Sequence, residues 1–326
     1  MFYNHILPYI PNFILRFFIN IILTYDLYYF KRYHHPSKEF KILDDLQKAE
    51  PIEFSLKFLN VFKNFEYSNV FLGPLKYTFG TNWTNLQLYE LSNSEKNTLV
   101  NIEKKLILSE LSENSYILDT DIKNGCVIKY LAEKYPKLNF IGYSHNVQCV
   151  NYMNSLGIKN IKIYINRNAI KNHTYSAIIS MEEFNVNNNY EKILSNYKKL
   201  LTDDGFIFIQ YIGHRENTIV INNTYLLNNL FNKNSTYILP SVNLLNNIKL
   251  ENLKIKYKQV LNGTNYSNTV EMWLNNLHHN KEKFIDTYLQ DNSYIYHMFR
   301  LYFLIISETM RLNNGNEFMT VTIILE

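Results

Sequence analysis

Cysteine is nearly missing from this chain: 326 residues carry two, Cys126 and Cys149. Two such residues build neither a disulfide framework nor a thiolate metal centre. Both therefore read as buried thiols in a reducing, cytoplasmic setting. A long uncharged apolar run is also lacking. Ile10 to Phe30 is rich in Phe, Ile, Leu and Tyr, but Arg16, Asn20 and Asp26 interrupt it. A spanning helix wants roughly 20 predominantly apolar residues, and a charge inside the span costs a few kcal/mol. No small-residue cleavage site follows, so a secretory leader is not expected. The segment is expected to be an amphipathic helix begun at Pro11-Asn12 and packed on the core. Peripheral membrane contact through residues 10–30 is the alternative. Basic clusters are missing too. The net charge of +4 is scattered, so nucleic acid is not expected as a partner.

What the chain does have is core-forming material. Hydrophobic residues make up 46% and charged residues 19%, a balance that describes a globular protein of one large domain or one domain with an insertion. Asparagine takes roughly one position in seven, well above ordinary usage. Runs such as Asn187-Asn188-Asn189 read as loop drift from an AT-rich coding sequence.

Periodicity supplies the architecture. Glu95 to Leu111 has helical spacing, Tyr116 to Leu118 reads as a strand, and Val127 to Tyr135 reads as a helix closed by Pro136. Strands follow at Asn139–Tyr143, Ile161–Ile165, Ala177–Met181 and Phe206–Tyr211. Helices separate them at Val147–Leu156, ended by Gly157, and Tyr190–Leu201, with a turn at Asp204-Gly205. This alternation predicts an α/β fold with a doubly wound, mostly parallel sheet and a ligand at the carboxyl ends of its strands.

Motifs in a fixed order carry a resemblance. They are Pro11-Asn12-Phe13-Ile14-Leu15-Arg16, Leu72-Gly73-Pro74-Leu75-Lys76-Tyr77-Thr78, Leu118-Asp119 running into Gly125, Leu131 to Pro136, Leu261 to Thr269, and Ser307-Glu308. Together the chain resembles the class I S-adenosylmethionine-dependent methyltransferases of the cyclopropane-fatty-acid synthase and coclaurine N-methyltransferase branch. The resemblance implies a Rossmann-like sheet with an N-terminal helical extension and cofactor cover over 1–94. It also implies a methyltransferase-like domain over 95–326, with a helical, substrate-side insertion at about 215–300. S-adenosylmethionine is the implied cofactor; no metal is implied. The residues implied to bind the cofactor are Tyr77, Thr78, Asp119, Gly125, Gly142, Ser144 and Arg167.

Several positions depart from the family pattern. In its Asp-x-Gly-x-Gly-x-Gly loop, Asp121 and Lys123 replace glycines that allow positive φ and close backbone approach. A non-glycine residue forced into that conformation costs about 1–2 kcal/mol. After the third strand, Asn166-Arg167 stands where the family has an acidic or aromatic residue, and arginine can stack on a purine. Asn185 and Val186 replace the Glu-His pair used in substrate binding and proton removal, so general-base work is lost there. Glu182, His214 and Tyr266 remain as a replacement catalytic set. Phe79 stands where the cyclopropane-forming branch uses cysteine, and the Leu261–Thr269 segment points to the N-methyltransferase-like subgroup.

Three functions stay in view. One is methyl transfer to an amine of a small molecule or lipid. Another is a catalytically inactive homologue acting as a binding or regulatory partner in a homo- or hetero-oligomer. The third is a lipid-surface protein that uses the N-terminal apolar helix and the aromatic content.

Overall fold

The computed structural model describes residues 6–33, 103–106, 108–122, 125–144, 147–181, 183–185, 189–221, 237–250, 252–279, 281–282 and 293–326. Short runs dominated by Ile, Phe and Tyr form β1 (Tyr116–Asp119), β2 (Asn139–Tyr143), β3 (Ile161–Tyr164), β4 (Tyr175–Met181) and β5 (Leu201–His214). These five strands pair in parallel. Two further strands, β8 (Ile255–Asn262) and β9 (Phe318–Leu325), complete a seven-stranded sheet in the order β3-β2-β1-β4-β5-β9-β8. Only β9 among them runs against its neighbours. Both faces of the sheet are covered, which is why its central strands are apolar throughout rather than alternating.

Helices α2 (Cys126–Lys134) and α3 (Val147–Ser155) pack on one face, through Val127, Leu131, Val150 and Met153. On the other lies α4 (Tyr190–Leu200), burying Tyr190, Leu194 and Tyr197. The doubly wound architecture expected from periodicity is therefore present, and each strand and helix from 116 to 201 lies within two residues of its expected bounds. The Asp204-Gly205 turn is drawn into β5 as an irregularity. Leu201 pairs with Tyr175, yet Phe206 already pairs with Ala177, so the intervening residues loop out of register. Of the helix expected at Glu95–Leu111, residues 103–106 are helical and Leu108–Glu110 form a 3₁₀ turn; 95–102 lie outside the described residues.

A third core sits at the end of the sheet. It joins α1 (Asn12–Tyr33), α5 (Gly263–His279) and α6 (Ser293–Gly315) through Leu15, Ile19, Val270, Trp273 and Leu304. The polar residues that interrupt the apolar N-terminal run are the ones α1 turns inward. The Arg16 guanidinium donates to both Glu271 oxygens, at 2.7 and 2.8 Å, and to Glu308. Asn20 Nδ2 donates to the other Glu308 oxygen at 2.8 Å. Two motif fragments at opposite ends of the chain, Pro11–Arg16 and Ser307-Glu308, thus meet in space. The region expected as an insertion contributes α5, but also β8 and a small antiparallel sheet of β6 (Ile219–Ile221) and β7 (Tyr237–Leu239). Among the described residues no helix is long and apolar enough to cross a membrane.

Candidate functional site

Every parallel strand from β1 to β5 ends at one edge of the sheet, and Asp119, Gly142, Ser144, Arg167 and His214, among the residues expected to act there, lie at or just past those ends. Asp119 closes β1 with its side chain buried, 2% exposed, and its Oδ1 accepts weakly from the Asp121 backbone N–H at 3.3 Å. The chain then folds back over β2, because Ile122 N–H donates to Tyr143 O at 3.0 Å and Gly125 N–H closes onto Ile122 O at 2.6 Å. Gly125 caps α2 at φ +81°, and a Cβ built on it would lie 2.1 Å from Met153 Sδ. The one glycine kept in this loop is therefore demanded by local conformation and by packing. Asp121, in contrast, lies outside the left-handed region. The strain considered for a residue there is not incurred, since the backbone has taken another path. Lys123 lies outside the described residues.

Gly142 is a packing glycine as well. A Cβ there would come within 2.5 Å of Ile122 Cγ2 and 2.6 Å of Ile163 Cδ1, so Ile122 already fills that side. Ser144, just past β2, is buried, and its backbone N–H donates to Tyr164 O at 3.0 Å. Its hydroxyl bonds the Cys149 thiol. Burial first, then the charges of Asp121 and Asp119, push that thiol up to about 12. Both carboxylates thus bear on one small region beneath the loop.

Past β3, Arg167 lies with its guanidinium carbon 4.9 Å from the Tyr143 ring centroid and donates to Glu183 Oε1 at 2.8 Å. Glu183 is buried, and its other oxygen takes the Tyr197 hydroxyl. That hydroxyl also lies 3.0 Å from Ser180 Oγ and 3.4 Å from Thr120 Oγ1. Burial and the Glu183 charge drive Tyr197 well above the usual phenol range, so it stays a neutral donor. Sequence reasoning passed over Glu183 and Tyr197. The available signal was a pair of opposite charges: an arginine just past β3 and an acid just past β4.

On the β4–β5 side the polar groups serve the fold. Asn185 is 0% exposed; its Nδ2 donates to Ile212 O and Ile238 O, both at 2.8 Å, while its Oδ1 accepts from Ile212 N–H at 3.0 Å. The amide that stands in for a glutamate therefore staples β5 to β7, which a carboxylate could not do because it has no donor. His214, at the end of β5, has Nε2 3.1 Å from Glu317 Oε1 and Nδ1 2.8 Å from Asn217 O. Nδ1 also lies 3.1 Å from the Asn217 N–H, so both ring nitrogens are engaged by protein groups. Glu317, 0% exposed, is a further residue that sequence reasoning missed; it lies 103 positions from its partner and nothing local marks it. Tyr266 is buried in the first turn of α5, edge-on to Trp273 with centroids 6.0 Å apart. The His214 ring lies 5.7 Å from Phe318, which belongs to the same apolar cluster as Tyr266, so these two residues share one end of the molecule. Glu182, Tyr77 and Thr78 lie outside the described residues.

Comparison with known proteins agrees with this geometry. The (S)-coclaurine N-methyltransferase of Papaver somniferum is 21% identical over 227 residues, covering 65% of this chain and 64% of that enzyme. Its counterpart from Thalictrum flavum subsp. glaucum is 22% identical over 230 residues, covering 65% and 63%. The chain thus matches somewhat under two thirds of the length of these relatives. Among solved structures, coclaurine N-methyltransferase bound to N-methylheliamine and S-adenosylhomocysteine superposes with a TM-score of 0.82 at 17% identity, covering 98% of this chain and 96% of that one. Mycolic acid cyclopropane synthase CmaA1 complexed with S-adenosylhomocysteine gives a TM-score of 0.62 at 15% identity, with coverage of 84% and 99%. A model of the mycolic acid cyclopropane synthetase family matches residues 89–318, more than two thirds of the sequence. With sheet order and family match in agreement, this chain belongs to the mycolic acid cyclopropane synthetase family.

Proposed function

We propose that this protein is an S-adenosylmethionine-dependent methyltransferase acting on an amine of a small molecule or lipid. The observation that carries the reading is the cluster at the β1–β3 edge. Asp119 and Asp121 bring negative charge to the loop, and Tyr143 with Arg167 forms a flat cationic face beside it. These residues fit the parts of the cofactor: a purine stacks on the guanidinium–phenol face, and carboxylates favour the sulfonium and ammonium groups. When bound, S-adenosylmethionine supplies a methyl group on a positively charged sulfur. The chain's own work is then to orient a neutral amine lone pair and exclude water. Asn185 has no titratable group and His214 is held by Glu317 and Asn217, so an acceptor that needs no dedicated base suits this site. In this proposal Tyr266 borders the acceptor, while His214 holds the sheet edge to β9.

The lipid alternative draws support from α1. Phe13, Phe17, Phe18, Ile21, Tyr25 and Tyr28 are all exposed, Phe17 at 63%, on the face opposite Leu15, Ile19 and Leu23. That stripe suits a lipid surface. Loss of vesicle flotation on Phe17→Glu would support contact, and unchanged flotation would remove it.

Calorimetric titration with S-adenosylhomocysteine, paired with thermal melting, tests the central claim. Cofactor at about 100 times its Kd adds roughly 2.7 kcal/mol of stability, a melting shift of several degrees. Arg167→Ala should weaken it. Silence at millimolar cofactor overturns the reading and leaves an inactive homologue working as a binding partner.

A further inference from the structure

At the end of the helical core farthest from the sheet lies an open cleft of about 380 Å³. Three separate stretches of chain meet there: the segment before α1, the end of α5 with Lys281, and the start of α6. Because α5 begins at Gly263, against Phe318 at the carboxyl edge, and rises about 1.5 Å per residue, His278 stands about 20 Å from that edge. The cleft is thus separate from the cofactor region.

Its chemistry is lopsided. Lys281, Arg300, His278 and His297 line it, and no carboxylate is among the described lining residues. Arg300 is buried, and its three nitrogens donate to Asn12 Oδ1, Leu7 O and Ile10 O, all neutral acceptors. Asn12 in turn lies 3.3 Å from His278 Nε2, so one amide ties both basic side chains to the start of α1. His278 is further braced by Tyr296 Oη at 2.6 Å. His297 differs from these: it is 5% exposed, and its Nδ1 has no hydrogen-bond partner among the described residues. Burial of a ring nitrogen without a partner is costly, and native structures rarely leave it so without a ligand or water in view. Burial first, then the charges of Arg300 and Lys281, lower the His297 pKa to about 4.

We infer that this cleft binds a small molecule bearing a phosphate group. Lys281 and Arg300 supply the charge, His297 Nδ1–H donates to a phosphate oxygen, and Tyr9, Pro8 and Pro11 wall the remaining space. Its volume lies at the low end of small-ligand sites, so it accepts more than a bare ion but not a large nucleotide. The inference is independent of the cofactor reading.

The test is thermal melting and calorimetry of the full chain with inorganic phosphate and with phenyl phosphate, against sodium chloride at matched ionic strength. Phosphate should stabilise beyond the salt control, and phenyl phosphate should bind more tightly by using the Tyr9 and proline walls. Lys281→Gln, at an exposed position that leaves the fold intact, should weaken binding roughly fivefold, and His297→Phe roughly tenfold. The response to S-adenosylhomocysteine should stay the same in both variants. Absence of any phosphate effect over chloride overturns the inference. An equal phosphate effect in wild type and Lys281→Gln also overturns it, because the ion is then held elsewhere.

Discussion

At the β1–β3 end of the sheet's carboxyl edge, the polar groups are charges and an aromatic face: Asp119, Asp121, and Arg167 lying on Tyr143. At the β4–β5 end they are an amide and an imidazole bonded on all sides by the protein itself. Both ends belong to one sheet, whose strands β1 to β5 all pair in parallel. What separates them is where their hydrogen-bonding capacity is directed. An edge residue whose donors and acceptors are all met by backbone contributes to stability and has nothing left for a ligand. The β4–β5 end thus holds β5, β7 and the start of β9 together, while the β1–β3 end presents charges.

The contrast is most exposed to test at Glu317. Removing it as Ala would leave His214 and Arg215 facing a buried, uncompensated site, at a cost of about 3–5 kcal/mol. Urea unfolding would measure this, and a loss below about 1 kcal/mol would mean the β5–β9 end is less tightly bound than its geometry indicates. Asn185→Glu comes next. It restores the glutamate that the family resemblance implies, yet it sets a carboxylate against two carbonyls that now receive N–H bonds. We expect about 3 kcal/mol of destabilisation and no gain in turnover. Asn185→Asp, of equal shape but without the donors, should lose a similar amount. A stable Asn185→Glu protein with new methyl transfer would erase the distinction between the two ends.

Much of this arrangement was legible from residue order. The strands from Tyr116 to Tyr211 are short apolar runs closed by glycine, proline or polar residues, and local pattern fixes such elements well. The roles at the site were harder to read. Asn185 looked like a loss when it is a staple, because its partners Ile212 and Ile238 come from elements 27 and 53 positions away. His214 looked catalytic because nothing near it in sequence announces Glu317. Gly142 gave no local hint that Ile122, 20 positions earlier, packs against it. In each case the deciding contact is long-range, and periodicity carries no information about it. The Arg16–Glu308 pair was equally hidden, although both residues lay inside motifs that sequence comparison had marked.

On the cofactor side the expected effects are smaller. Gly125→Ala forces a side chain into φ +81° and against Met153, which should cost about 1–3 kcal/mol in thermal melts. Repeating it in a Met153→Ala background should recover part of that loss, and no recovery would assign the whole effect to backbone conformation. Arg167→Ala should weaken S-adenosylhomocysteine roughly tenfold through loss of the stacking face. An unchanged Kd would move the purine away from Tyr143.

The smallest effect expected at neutral pH, and the most local, concerns Cys149. Its thiol is buried, and the nearby Asp121 and Asp119 charges add to the desolvation that pushes it up to about 12 from an ordinary value near 9. A group whose folded pKa is raised holds its proton more tightly when native. Its contribution to stability is therefore complete below the unfolded value and falls away as pH climbs from about 9 toward 12. In a Cys126→Ser background, native protein should react with a disulfide reagent at pH 8 only as fast as it opens, and unfolding in urea should release a prompt reaction. Asp121→Asn removes one of the two charges, so it should lower the Cys149 pKa and raise its rate of modification at alkaline pH without changing global stability. Prompt labelling of native protein at pH 8 would mean that the loop between Asp119 and Gly125 stands open, and that the β1–β3 edge is no more closed to solvent than an exposed turn.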